Sequence, residues 1–107
     1  MIFLGEKPAI WEERRMKKGP AHIEMEMLLE TAFAPTRLSV INDSAQHHGH
    51  SGDDGSGESH FTIEIESALF AGVSRLMRQR MVNKALGDIP GTRVHALAIK
   101  ARTPGEV

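Results

Sequence analysis

The chain has 107 residues, of which 40% are hydrophobic and 25% are charged, as expected for one small globular domain. It contains no cysteine, which excludes disulfides, thiolate nucleophiles and any metal site built from the chain's own sulfur. No apolar run approaches the roughly 18 residues of a membrane span, and the amino terminus lacks a signal-peptide pattern. We therefore expect a cytoplasmic protein that has no contact with membranes.

The net charge of −1 hides an asymmetry between the two halves of the chain. Residues 1–67 hold six Lys/Arg against twelve Asp/Glu, whereas residues 68–107 hold seven against two. A chain polarised in this way can present a basic face to phosphate or to an acidic partner.

The first 19 residues have no sustained hydrophobic period and contain the only tryptophan, Trp11. We expect a flexible arm there, with no function assigned to it. A single domain is predicted over residues 20–104, followed by a short tail over 105–107.

The first predicted helix begins at Pro20, which suits a first-turn position, and ends before Pro35. Its apolar stripe follows helical spacing and consists of Met25, Leu28, Leu29, Ala32 and Phe33. A short strand is predicted over 37–43, with Leu38 and Val40 on one face.

Residues 45–59 are rich in Gly, Ser, Asp and His and have no apolar period, which predicts a long loop. Such a segment has little apolar surface to offset the entropy of ordering, so we expect it to be mobile without a partner. The following residues, 60–66, predict a strand because Phe61, Ile63 and Ile65 alternate with polar side chains.

Two helical segments follow this strand. Residues 67–72 predict one turn that is broken at Gly72, and residues 73–89 predict a longer helix that the next Pro-Gly pair stops. The broad apolar stripe of the longer helix consists of Val73, Met77, Met81, Val82, Ala85, Leu86 and Ile89.

The last predicted strand covers 93–100 and places His95, Leu97 and Ile99 on one face. The element order is αββααβ. The long loop can join an antiparallel pair, and the helical stretch is long enough for a right-handed crossover to a parallel third strand. We therefore predict a two-layer α/β (α+β) sandwich with a three-stranded mixed sheet.

Histidines are the first candidates for chemistry. The loop cluster of His47, His48 and His50 can bind metal, although a solvated polar loop is the alternative. The predicted position of His95 on an apolar face leaves a hydrogen-bonded core imidazole as the alternative to a ligand. His60 falls on the polar face and is interpreted as a surface or loop-anchoring residue.

Catalytic motifs are absent from the sequence. No serine stands in a Gly-x-Ser-x-Gly elbow, and there is no phosphate-binding glycine motif. The carboxylate pairs, Asp53 with Asp54 and Glu64 with Glu66, have no pocket implied around them. We expect a binding protein and not an enzyme.

A cationic run in the longer helix is the second binding candidate. Arg75, Arg78, Arg80 and Lys84 occur within ten residues that contain no acid, and Gly72 precedes a helix N-terminus that could hold an anion. Helical spacing puts the first two cations on one side and the last two on another, so one phosphate-binding face is not guaranteed. A solvated helix edge is the alternative.

The chain resembles the BolA family from about residue 28 to residue 104. The matching pieces occur in the family's order and are Leu38-x-Val40, Ser44-x-x-His47, Glu58-Ser-His-Phe61, Ser67-x-x-Phe70-x-Gly72, Arg78-Gln-Arg-Met-Val82 with Leu86, Val94-His-Ala-Leu97 and Thr103-Pro104. One departure is Gln79, where the family usually has a histidine between two arginines. That histidine is not the one assigned to metal, so the metal inference is unaffected.

The resemblance implies a KH-like (type II) αββααβ fold and a partnership with a monothiol glutaredoxin around a shared 2Fe–2S cluster. In such complexes the BolA partner supplies a histidine from the last strand and a His or Cys from the long loop, which here are His95 and His47. His48 and His50 are substitutes for His47. Glutathione and the partner would supply thiolate, and no cluster is expected in the isolated protein.

The family is also associated with transcription regulation and DNA binding through a helix-turn-helix region. In this chain that region carries Gly72, Arg75, Arg78, Arg80 and Lys84. We rank the iron–sulfur adaptor first and the DNA-binding regulator second.

Overall fold

The computed structural model describes residues 18–44 and 57–106 of the chain. Most of the predicted arm and most of the predicted loop, including His47, His48 and His50, lie outside these ranges. The elements are α1 (Pro20–Phe33), β1 (Arg37–Asn42), β2 (His60–Glu66), a 3-10 helix (Ala68–Phe70), α2 (Arg75–Leu86), α3 (Ile89–Thr92) and β3 (Ala96–Arg102).

The sheet has the predicted topology. Its order is β1-β2-β3, with β1 antiparallel and β3 parallel to the central strand. Phe61, Ile63 and Ile65 of β2 are buried and face the helices, as their alternation predicts. The three-stranded mixed sheet and the two-layer α+β fold are therefore confirmed.

Helix α1 begins where predicted because its first N–H groups find a side-chain acceptor. The Glu58 carboxylate accepts from the backbone N–H of His22 at 2.9 Å and of Ala21 at 3.3 Å. A Cβ on Gly19 would lie 2.2 Å from the Glu58 carboxyl carbon, so a larger residue there would displace the carboxylate that caps the helix. The predicted stripe is right except at Ala32, which is exposed.

Helix α2 is shorter than the predicted 73–89. It begins at Arg75 because Ser74 is the N-cap, whose Oγ accepts from the Met77 N–H at 3.2 Å. It ends at Leu86 because Gly87 takes a φ of 65°. The prediction that Met77 belongs to the buried stripe is wrong, since that side chain is 46% exposed.

The core lies between the sheet and the helices. It contains Met25, Leu29, Phe61, Phe70 and Val82, each 2% exposed or less. Phe70 also packs against Phe33 with ring centroids 5.1 Å apart. Within residues 18–44 and 57–106, no helix is long and apolar enough to cross a membrane; the cytoplasmic location stays a prediction.

Candidate metal centre at the amino ends of β2 and β3

The structure turns His95 outward. Strand β3 begins at Ala96 and not at residue 93, and His95 just before it is exposed. The predicted placement of His95 on the apolar face with Leu97 and Ile99 is therefore wrong. Its cause is a bulge-like pairing in which the backbone N–H groups of His95 and Ala96 both donate to the carbonyl of Ser59, at 2.8 and 3.0 Å.

A second imidazole lies beside the first. The rings of His60 and His95 have centroids 5.6 Å apart and planes inclined at 52°. Ser59 Oγ lies in hydrogen-bond contact with His60 Nδ1, at 2.9 Å. The interpretation of His60 as a plain surface or loop-anchoring residue missed this neighbour. The parallel pairing of the last two strands was the available signal, since it brings their amino ends to one edge.

The same edge anchors both ends of the histidine-bearing loop. Ser44 Oγ accepts from the N–H groups of Ser59 at 2.8 Å and His60 at 3.1 Å, and Asn42 Nδ2 donates to the Gly57 carbonyl at 2.7 Å. Ser44 and Ser59 are both buried. The residues that border the histidine-bearing segment, Ser44 and Gly57, are therefore both hydrogen-bonded at the sheet edge that carries the two imidazoles.

A shallow groove of about 320 Å³ runs from this edge across the open face of the sheet. Its polar lining includes Asp43, His60 and Thr62, and Ala96 and Ala98 of β3 also line it. The Asp43 carboxylate accepts from Thr62 Oγ1 at 2.5 Å. Across the described parts of the chain, no three His, Cys, Asp or Glu residues are grouped closely enough to hold a metal ion.

The predicted cations do not share one surface. Arg78 is buried: its Nε donates to the Val73 carbonyl at 2.8 Å, and its Nη1 donates to Ala101 O at 3.1 Å and to Glu106 at 2.9 Å. This guanidinium holds the end of β3 and the following tail against α2. Arg78 therefore has a structural role in the fold. The sequence analysis, which assigned Arg78 to nucleic-acid binding, did not anticipate this role.

The other predicted cations are exposed but diverge. Arg75 lines a groove between α2 and β3 of about 360 Å³, together with Lys100, Arg102 and the carboxylate of Glu106. Arg80 and Lys84 are exposed but do not line this groove. Gly72 has a φ of 75° and precedes the helix, whose first turn is capped by Ser74. The three cations of this groove are therefore one helix residue and two strand residues, Lys100 and Arg102, that the sequence analysis did not single out.

Glu106 lies within the predicted tail but is tied to the domain. Its carboxylate accepts from the Thr103 N–H at 3.1 Å and hydroxyl at 2.9 Å, as well as from Arg78. These three donors, Thr103 before Arg78, lower the pKa of Glu106 to about 2.

These features define a small α+β domain with two imidazoles at one sheet edge and a groove lined by three cations and Glu106. A family model described as BolA-like protein matches residues 29–106. The chain belongs to the BolA-like family.

Individual relatives agree with this membership. The chain is 48% identical over 83 residues to a Sinorhizobium sp protein named "Uncharacterized protein in cobS 5'region", covering 77% of this chain and 89% of that one. It is 42% identical over 88 residues to human BolA-like protein 1, covering 82% of this chain but only 61% of the human protein. The chain thus spans less than two thirds of that relative.

One bacterial relative carries a functional name, and a solved structure shows the same fold. The Vibrio cholerae protein named DNA-binding transcriptional regulator BolA is 39% identical over 82 residues, which covers 77% of this chain and 74% of the relative. The BolA domain of SufE1 from Arabidopsis thaliana superposes with a TM-score of 0.74 at 37% identity, covering 84% of this chain and 99% of that domain.

Proposed function

We propose that this protein is an adaptor that binds a monothiol glutaredoxin and co-ligates a 2Fe–2S cluster, in iron–sulfur cluster trafficking or iron regulation. The observation that supports this most is the exposed imidazole of His95, held at the sheet edge by the pairing of its backbone N–H with Ser59. A ligand for a cluster shared between two proteins must point away from its own core, and His95 does so.

The donor chemistry of the chain fits such a cluster. The chain has no cysteine, so it would bind iron through histidine imidazoles in place of thiolates. Histidine can replace cysteine on one iron of a 2Fe–2S centre. The glutaredoxin and glutathione would then supply the thiolates. The other ligand proposed from this chain is His47, with His48 or His50 as substitutes.

Chain length supports His47 as the nearest of the three loop histidines. It lies three residues beyond Ser44, and three residues span at most about 11 Å. Ser44 itself is bonded to the backbone N–H of His60, beside His95. His50, three residues further along, could reach the same place only with a longer stretch of loop.

The direct test is co-expression with the host's monothiol glutaredoxin, followed by purification of the complex and visible absorption spectroscopy. We expect cluster absorption in the copurified pair and none in this chain purified alone. The proposal would be contradicted if the glutaredoxin does not copurify with this chain and if the spectrum of the glutaredoxin-bound cluster is unchanged when this chain is added.

The second candidate is a DNA-binding transcription regulator. It is favoured by the name of the Vibrio cholerae relative and by the groove in which Arg75 of α2 faces Lys100 and Arg102 of β3. Cations that flank a groove are suited to phosphate contacts. The test is DNA affinity across a salt series for variants inside and outside this groove.

A further inference from the structure

We infer that residues 10–17, which lead into α1, dock in a groove between α1 and β1 of the same chain. An extended segment can dock in a groove without forming a helix or a strand of its own. The lack of a hydrophobic period over the first 19 residues is therefore compatible with this docking. A docked segment would take the place of the flexible arm that the sequence predicts, and it requires no glutaredoxin.

The groove lies between the carboxyl-terminal half of α1 and strand β1 and has a volume of about 450 Å³. The described residues that line it are Glu26, Met27, Glu30, Thr31 and Leu38. Met27 is 64% exposed, more than any other large hydrophobic side chain that the structure describes. Strand β1 is an edge strand, because β2 pairs with only one of its two sides. An exposed apolar side chain beside a strand edge forms a surface that proteins usually cover.

The charge of the groove is negative. Among the described residues that line it, two are carboxylates and none is a cation. Glu26 and Glu30 are four residues apart and therefore lie on one face of α1. Glu30 is exposed, and no residue of the described ranges forms an ion pair with it. The groove therefore favours an occupant that carries positive charges together with an apolar side chain to cover Met27.

The chain enters α1 on the side of the groove. Lys18 Nζ donates to Glu26 Oε2 at 2.8 Å, although the two residues are eight positions apart. Trp11 lies seven residues before Lys18, and an extended stretch of seven residues spans at most about 25 Å. Helix α1 rises by about 17 Å from Pro20 to Thr31. The segment is therefore long enough to reach every residue of α1 that lines the groove.

The composition of the segment matches the groove. Residues 14–18 contain four cations and no acid, and their sequence is Arg-Arg-Met-Lys-Lys. With Glu12 and Glu13 included, residues 10–18 still hold four cations against two acids. Trp11 lies beyond the basic residues and supplies a large apolar ring, and methionine side chains make favourable contacts with aromatic rings. The segment thus offers cations to the two glutamates of the groove and an indole to Met27.

The fluorescence of Trp11 tests the docking in the full chain, because Trp11 is its only tryptophan. We expect emission at a shorter wavelength and weaker quenching by acrylamide in the folded chain than in the chain unfolded in urea. Added salt should reduce both differences, since it screens the attraction between the cations and the glutamates. Equal emission and quenching in the folded and unfolded chains would overturn the inference. Differences that disappear on dilution would also overturn it, because the segment would then dock on a second copy of the chain.

Variants show whether the groove is the docking site. Met27→Ser and Glu30→Lys should each shift the Trp11 emission towards that of the unfolded chain, while the far-ultraviolet circular dichroism stays unchanged. Leu76→Ser is the matched control, because Leu76 is 60% exposed on α2 and does not line the groove. An emission shift in Leu76→Ser as large as that in Met27→Ser would overturn the inference, as would unchanged emission in both groove variants. Either result would leave the proposed glutaredoxin complex standing.

Discussion

The carbonyl oxygen of Ser59 lies 2.8 Å from the backbone nitrogen of His95, and it also accepts the next N–H of the chain. This shared acceptor replaces the regular alternation that would direct the imidazole into the core. The candidate ligand therefore owes its exposure to a local irregularity of strand pairing and not to its residue type.

Ser59→Ala should remove the contact between the Ser59 hydroxyl and His60 Nδ1 while leaving the backbone position of His95 unchanged. The variant loses the hydroxyl in contact with His60 Nδ1 but keeps the carbonyl that His95 pairs with. We expect a loss of about 1 kcal/mol in the free energy of unfolding, measured in urea, and a changed His60 ring signal by NMR. Ser39→Ala, on an exposed β1 serine, is the matched control and should alter neither quantity.

Arg78→Ala should destabilise the domain, whereas Arg80→Ala should not. The Val73 and Ala101 carbonyls would lose their charged donor in the first variant, which we expect to cost about 2 kcal/mol in urea unfolding. Arg80 is exposed, so its truncation should change stability by no more than about 0.5 kcal/mol. Equal stability of the two variants would show that the buried guanidinium does not hold the end of β3.

Glu106 should make the domain sensitive to acid. Its pKa in the folded protein is about 2, below the ordinary value of 4.5, so the ionised form stabilises the fold above pH 4.5. That contribution is lost as the pH falls from 4.5 towards 2. Thermal unfolding across this range should show a smaller pH dependence for Glu106→Gln than for the unchanged protein, and parallel curves would rule out the effect.

If the chain binds DNA, Arg75 should matter more than Arg80. Both are exposed cations of α2, but only Arg75 lines the groove with Lys100 and Arg102. Arg75→Ala should weaken binding to all sequences and reduce the slope of log affinity against log salt by about one unit. Arg80→Ala removes the same charge outside the groove and is the matched control. A larger loss of DNA affinity in Arg80→Ala than in Arg75→Ala would show that DNA binds to the outer face of the helix and not to the groove.

Periodicity in the sequence predicts the central strand well. Phe61, Ile63 and Ile65 alternate with polar residues, and only one register of the strand buries all three of them. Periodicity fails at His95, since nothing in the apolar alternation of residues 93–99 signals that two N–H groups will share one acceptor. Arg78 could have been recognised, because it stands four and eight residues before Val82 and Leu86 on the buried stripe of α2. A cation at that position indicates a buried ion pair, but its partner, Glu106, is too distant in sequence to be inferred.

The visible circular dichroism of the cluster in the glutaredoxin complex tests the ligand assignment most directly. It would be compared for the unchanged chain, His95→Ala, His47→Ala and the triple His47/His48/His50→Ala variant. We predict that His95→Ala changes the spectrum and shortens the cluster's lifetime more than His47→Ala does. His48 or His50 can replace His47, whereas His95 is held in place by the hydrogen bond of its backbone N–H to Ser59. The far-ultraviolet spectrum should stay unchanged, since His95 is exposed and outside the core. Cluster spectra and lifetimes equal to those of the unchanged chain, in both His95→Ala and the triple variant, would contradict the assignment.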